Sequence, residues 1–284
     1  MPPARTLIVP GRGELFLRDS NPDYSSPAHP SRPAVMLLHG WMAAADLNWC
    51  GAYGDLAAAG YRVLAIDHRG HGRGLRQLGD FRLVDCAADA AAALRQLNVA
   101  PALVVGYSMG GAIAQLMVRD HPDVVAGLVL SGTAQHWQDP RTRRAFKALG
   151  VFGLMLSVAP RATWTAGFRR VGLRESPETA WALSEMMRHS ARDLVEAGRE
   201  LGRFDSRPWL HPGGRDSIPS AVVLTTRDEL VPPGKQRQLA AALEAPVFEA
   251  PITHLEITSA GATYNPVLLR ALAAVGGGEA VAAA

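Results

Sequence analysis

Leu103-Val104-Val105-Gly106-Tyr107-Ser108-Met109-Gly110-Gly111-Ala112-Ile113-Ala114 decides the fold. An apolar run of strand length meets a glycine-flanked serine and turns at once into helical sequence. The glycines imply crowding: side chains beside the serine are absent so that a strained turn can lift the Ser108 hydroxyl above a sheet. The helix starting behind it brings free N–H groups and the positive end of its dipole toward that hydroxyl. The competing reading is a glycine-rich turn with an incidental serine, and the strand before and helix after favour the first.

The same alternation repeats outward in both directions. Thr6 to Val9 and Glu14 to Arg18 flank the turn signal Pro10-Gly11-Arg12-Gly13 and predict an opening hairpin, followed by a polar loop to Pro33. Val35 to Leu38 reads as a strand ending at His39-Gly40, Trp49 to Ala59 as a helix, and Arg62 to Ile66 as a strand closed by Asp67. Leu83 to Leu97 is an alanine-rich helix, Met109 to Asp120 another, and Val124 to Leu130 a strand. Strands that are apolar throughout and separated by helices are what a parallel sheet covered on both faces requires, so the fold class is α/β.

The alternation breaks from Ala134 to Ser217, a helical and irregular stretch with four tryptophans. It resumes with strand Ala221 to Thr226, helix Lys235 to Leu243, strand Pro246 to Glu249 and a last helix near Pro266 to Val275; the tail to Ala284 has no core pattern. The reading is one domain, residues 1–133 and 218–284, interrupted by a helical insertion at 134–217.

Composition narrows the classes. With 48% apolar residues and 6% aromatics the 284-residue chain reads as soluble and globular. The longest apolar segment, Leu149 to Pro160, is too short for a membrane span and reads as a lid or core helix. Met1-Pro2-Pro3-Ala4-Arg5 lacks the features of a secretory signal, which points to the cytoplasm. Cys50 and Cys86 have neither metal-ligand spacing nor the number of a disulfide framework. A net charge of +3 does not argue for nucleic acid, yet it is uneven: Ala134 to Ser217 holds 14 Arg or Lys against 9 Asp or Glu, the rest 15 against 17.

A nucleophilic serine needs a base, and the base an orienting acid. Of nine histidines, His254 alone comes after the last strand and before the last helix, where a loop can return it to the serine. Asp228 follows an apolar strand directly and completes the order Ser, Asp, His; Glu229 is its competitor. The N–H groups of Met109 and Trp41 are the expected oxyanion donors, with Gly40 allowing close approach. His39 reads as a brace for that loop. Asp67-His68-Arg69-Gly70-His71-Gly72 reads as a loop held by an Asp67–Arg69 or backbone contact, not as a metal site, because three close residues on one loop rarely present three ligands to one ion.

Together Leu38-His39-Gly40-Trp41, the Asp67 to Gly72 loop, Gly106 to Gly111, Asp228 before Val231-Pro232, and Thr253-His254 resemble the α/β-hydrolase superfamily, specifically its cap-bearing group of esterases, lactonases, thioesterases, C–C bond hydrolases, haloperoxidase-like enzymes, epoxide hydrolases and haloalkane dehalogenases. The resemblance runs from about residue 5 to 275. It implies an eight-stranded, mostly parallel sheet with the insertion as a cap over the site. The family often has Gly before the histidine; here it is Thr253. Epoxide hydrolases and dehalogenases of this superfamily carry an aspartate at the elbow, whereas Ser108 favours an acyl-enzyme.

The expectation is therefore hydrolysis of a carboxylic ester or related acyl compound without metal or organic cofactor, on a small substrate that is apolar or anionic. Trp137, Phe152, Phe146 and Leu154 to Leu156 are the candidate apolar lining. An aminopeptidase or amidase would need a cap acid for the substrate amine, for which Glu175, Glu178, Glu185 and Glu196 are available. Cofactorless perhydrolysis shares the triad, and a non-catalytic ligand-binding module is the alternative from another class.

Overall fold

The computed structural model describes residues 1–21, 32–76, 79–210 and 218–277. The hairpin forms as its turn residues require: β1 (Ala4–Val9) pairs antiparallel with β2 (Gly13–Asp19), with Gly11 and Gly13 both at positive φ in the turn. The alternation continues through β3 (Val35–Leu38), α1 (Ala45–Trp49), α2 (Tyr53–Ala58), β4 (Val63–Ile66), α3 (Leu83–Gln96), β5 (Ala102–Tyr107), α4 (Met109–Asp120) and β6 (Val125–Ser131). Five helices follow, α5 (Pro140–Lys147), α6 (Leu149–Val158), α7 (Pro160–Arg170), α8 (Pro177–Met186) and α9 (Ala191–Arg203). The sheet then resumes with β7 (Ser220–Thr225), α10 (Pro233–Ala242), β8 (Val247–Ala250) and α11 (Gly261–Gly276).

Among the described residues eight strands form one sheet in the order β1-β2-β4-β3-β5-β6-β7-β8. All pairings beyond β2 and β4 are parallel. The period of two along each strand sorts side chains into two layers. Met36, Leu38, Leu64, Ile66, Val104, Leu128 and Leu130 meet α3 and α4 on one face. Val35, Leu37, Val63, Ala65, Leu103, Val105 and Val129 meet α1, α2 and α11 on the other. Burial on both faces is why the central strands read as unbroken apolar runs.

Chain order runs from β3 one way to β4 and then back across β3 to β5, so a crevice opens beyond the carboxyl ends of β3 and β5. The His39 loop and the Ser108 turn both leave the sheet there. Since β6 and β7 are neighbours, the whole α5–α9 segment is an excursion between adjacent strands, and its contacts return to the core mainly through α9.

Some boundaries differ from the sequence reading. The helix expected over Trp49 to Ala59 is two short ones broken at Cys50 to Ala52, where Ala52 N–H turns tightly onto Trp49 O at 2.8 Å. The last helix, expected near Pro266 to Val275, runs over Gly261–Gly276, so that Pro266 lies inside it. The loop before Pro33 lies largely outside the described residues, as do the end of the insertion at 211–217 and the tail from 278. Among the described residues no helix is long and apolar enough to cross a membrane.

Candidate active site

Ser108 occupies the single residue between β5 and α4, at φ 54° and ψ −117°. A left-handed φ is strained for a serine and persists only because its surroundings fix it. Its N–H donates to Ser131 O at 3.0 Å, and its carbonyl accepts from the Thr133 hydroxyl at 2.8 Å and from Gly111 N–H at 2.9 Å. The flanking glycines are a matter of space. A Cβ at Gly106 would lie 2.4 Å from Gly110 O, and one at Gly110 would lie 2.1 Å from Leu38 O. With both absent, α4 begins pressed against β5 and β3.

Asp228 follows β7 on a turn that uses every lone-pair direction of its carboxylate. Oδ1 accepts from Leu230 N–H at 2.9 Å and Val231 N–H at 2.8 Å; Oδ2 accepts from the Thr225 hydroxyl at 2.8 Å and faces His254 Nδ1 at 2.7 Å. Its side chain is wholly buried, while neighbouring Glu229 is exposed. His254 opens a 3₁₀ turn over His254–Thr258, started by the Glu256 carboxylate accepting Thr253 N–H at 2.7 Å. That turn gives Thr253 a local role. With Nδ1–H donated to Asp228, His254 Nε2 is the acceptor for Ser108 Oγ at 3.0 Å. The three side chains singled out in the sequence thus lie in one unbroken hydrogen-bonded chain.

The loop after β3 lies against the serine, since a Cβ at Gly40 would stand 3.3 Å from Ser108 Cβ. Gly40 N–H donates to Asn48 Oδ1 at 2.9 Å, and His39 Nδ1–H donates to Gly40 O at 2.8 Å. Among the described residues neither Trp41 N–H nor Met109 N–H donates a hydrogen bond within the chain. Met109 is the first residue of α4, where an amide has no helical partner. Trp41 also sends its indole N–H to Leu194 O on α9 at 2.9 Å, so one residue joins this loop to the insertion.

The loop over Asp67 to Gly72 is held by backbone contacts. Of the two expected contacts the backbone one forms: Asp67 accepts Ala45 N–H at 2.7 Å and Arg73 N–H at 2.8 Å, while Arg69 pairs with Asp89 at 2.6 Å. Burial raises the Asp67 carboxyl to about 6. His39 braces the site by accepting His68 N–H on Nε2 at 3.0 Å. His39, His68, His71 and the insertion's His189 form a buried imidazole cluster with ring centroids 4.2 to 5.5 Å apart. Burial disfavours the imidazolium, holding His39 and His71 well below the ordinary range and lowering His68 and His189 to about 3. Among the described residues no group of three or more His, Cys, Asp or Glu side chains is arranged to hold a metal ion.

The proposed apolar lining divides. Phe152 packs edge-on to Trp164 in a cluster with Leu156, Leu194, Trp41 and Met42, beside the Gly40 loop. Trp137 is 5% exposed with its ring against Phe204, so it is spent on packing and offers a ligand almost no surface. Leu154 and Met155 face outward. Sequence reasoning missed Thr133, Asn48 and Tyr107, whose hydroxyl donates to His254 O at 2.6 Å. Thr133 and Tyr107 bond residues 25 and 147 positions away and Asn48 one eight positions away, partners that no pattern in the sequence announces.

The family model for the alpha/beta hydrolase fold matches residues 33–254. A pimeloyl-acyl-carrier-protein methyl ester esterase of Chromobacterium violaceum is 30% identical over 237 residues, 77% of this chain and 85% of that protein. Epoxide hydrolase B of Mycobacterium tuberculosis is 37% identical over 106 residues, but this match spans only 30% of that protein. A putative non-heme haloperoxidase of Mycobacterium phage D29 is 30% identical, with 62% of this chain and 65% of that one covered. Among solved structures, an esterase of Exiguobacterium antarcticum superposes with TM-score 0.77 at 18% identity, covering 96% of this chain and 99% of that one.

Proposed function

This chain belongs to the α/β-hydrolase-fold family, and we propose that within it the protein is a serine hydrolase cleaving a carboxylic ester through an acyl-enzyme on Ser108. The observation that carries the reading is the Ser108–His254–Asp228 chain, at 3.0 and 2.7 Å; among the described residues the amides of Trp41 and Met109 donate to no partner within the chain, which supports it. His254 Nε2 takes the Ser108 proton as Oγ attacks the acyl carbon, and Asp228 stabilises the imidazolium. The amides of Trp41 and Met109 take the developing oxyanion, aided by the positive end of α4. His254 then protonates the leaving alcohol, and water repeats the attack on the acyl-enzyme. The steps use this chain's own groups and water.

In this reading residues 134–217 are the cap and Phe152 with its apolar neighbours meets the acyl or alcohol portion of a small substrate. An elbow serine, unlike a carboxylate, does not lead to the alkyl-ester intermediate of epoxide opening. The cap acids give little support to an amine-binding reading. Glu185 is buried against Arg73 at 2.8 Å, Glu196 accepts Phe81 N–H at 2.8 Å, and Glu175 and Glu178 point to solvent. Parallel assays with p-nitrophenyl esters and amino-acid p-nitroanilides test the choice. Esters are expected to show the higher kcat/KM, and a preference for anilides would overturn the ester reading.

A further inference from the structure

Helix α6 is apolar on both faces. Leu149, Phe152, Gly153 and Leu156 turn inward, Gly153 so tightly that a Cβ there would stand 2.5 Å from Val195 Cγ2 on α9. At 100° per residue the opposite face carries Val151, Leu154, Met155 and Val158, spaced i, i+3, i+4, i+7, and these are 64, 64, 49 and 76% exposed. A helix apolar all round belongs under cover, and a continuous exposed stripe of this kind marks an interaction surface.

The charge around the stripe says what covers it. From Pro140 to Arg174 there are eight Arg or Lys and no Asp or Glu. Lys147 precedes α6 and Arg161 follows it, both exposed, and α7 adds an open groove lined by Arg161, Ala162, Thr165, Ala166, Arg169 and Arg170. Glu175, beyond this segment, pairs with Arg169 at 3.5 Å with both side chains largely in solvent. A second copy docking here about a two-fold axis would set these cations against each other. A flat anionic surface with an apolar interior satisfies both features at once: acyl chains take the stripe and phosphate headgroups the arginines.

We infer that the α6–α7 hairpin is a docking surface for an anionic lipid bilayer, the apolar stripe entering the headgroup–acyl boundary and the flanking cations the headgroup layer. The inference is independent of the chemistry at Ser108 and is tested without turnover.

The test is flotation of the full chain with vesicles of phosphatidylcholine alone or mixed with phosphatidylglycerol, at low and high salt. Wild type is expected to float with the anionic vesicles, about tenfold or more over the neutral ones, and to lose that preference at high salt. Val151→Glu with Val158→Glu, and separately Arg161→Gln with Arg169→Gln, are each expected to lower partitioning about tenfold while the thermal midpoint stays as in wild type. All four positions are exposed, and the arginine pair gives a readout independent of the apolar one. Wild type left in the aqueous phase with either vesicle overturns the inference. So does equal binding to neutral vesicles that ignores the arginine changes, or a lipid-free dimer that Val151→Glu with Val158→Glu dissociates.

Discussion

Both oxygens of Asp228 are fully engaged, Oδ1 by two backbone amides and Oδ2 by Thr225 and His254. Asp228→Asn keeps the size of the side chain and, with its oxygen on the Leu230 and Val231 amides, turns an NH₂ toward His254. The imidazole must then present a lone pair at Nδ1 and carry its proton on Nε2, leaving no acceptor for the Ser108 hydroxyl. A fall in kcat of about 10⁴ with an unchanged thermal midpoint is expected, and a loss under about tenfold would remove Asp228 from the proposed role. Ser108 and Asp228 were legible because each follows an apolar strand run, and His254 because it alone of the histidines falls between the last strand and the last helix. Thr133 and Asn48 were not, since a polar residue bonded across two loops leaves no periodicity behind.

At the scale of elements, the sheet was readable because burial on both faces writes unbroken apolar runs, whereas the helix ends were not, since Cys50 to Ala52 break a helix with no proline to mark it. The insertion was legible as helical but not in its packing, which rests on small residues opposite large ones. Gly198 on α9 is such a residue: a Cβ there would stand 2.7 Å from Trp41 Cζ2 and 2.9 Å from Leu149 Cδ1. Gly198→Val therefore has to part α9 from α6 and displace Trp41. It is expected to cost about 1–3 kcal/mol and to lower kcat/KM, because the displaced residue supplies the proposed oxyanion amide. Calorimetry and ester turnover check this; an unchanged midpoint would show that the contact yields freely.

For the molecule as a whole, the imidazole cluster couples stability to pH. His39, His68, His71 and His189 stay neutral in the fold well below the ordinary value of 6.5, at which the unfolded chain protonates them. Below 6.5 the unfolded state therefore binds more protons, and stability falls as pH falls, by about 1.4 kcal/mol per pH unit for each proton of difference. Asp67, raised from 3.8 to about 6, acts in the opposite sense between those values, one carboxyl against four imidazoles. The urea midpoint is expected to be clearly lower at about pH 5 than at about pH 7.5, and His189→Gln is expected to flatten that dependence. A flat profile in wild type would contradict neutral burial. None of this was legible in sequence, where His189 lies more than a hundred residues from the other three.

The central claim is that Ser108 is the nucleophile, and turnover of a p-nitrophenyl ester series by wild type and Ser108→Ala tests it most directly. Loss of activity by a factor on the order of 10⁴ or more, with the fold intact, is the expected result; equal rates in the two proteins would contradict it.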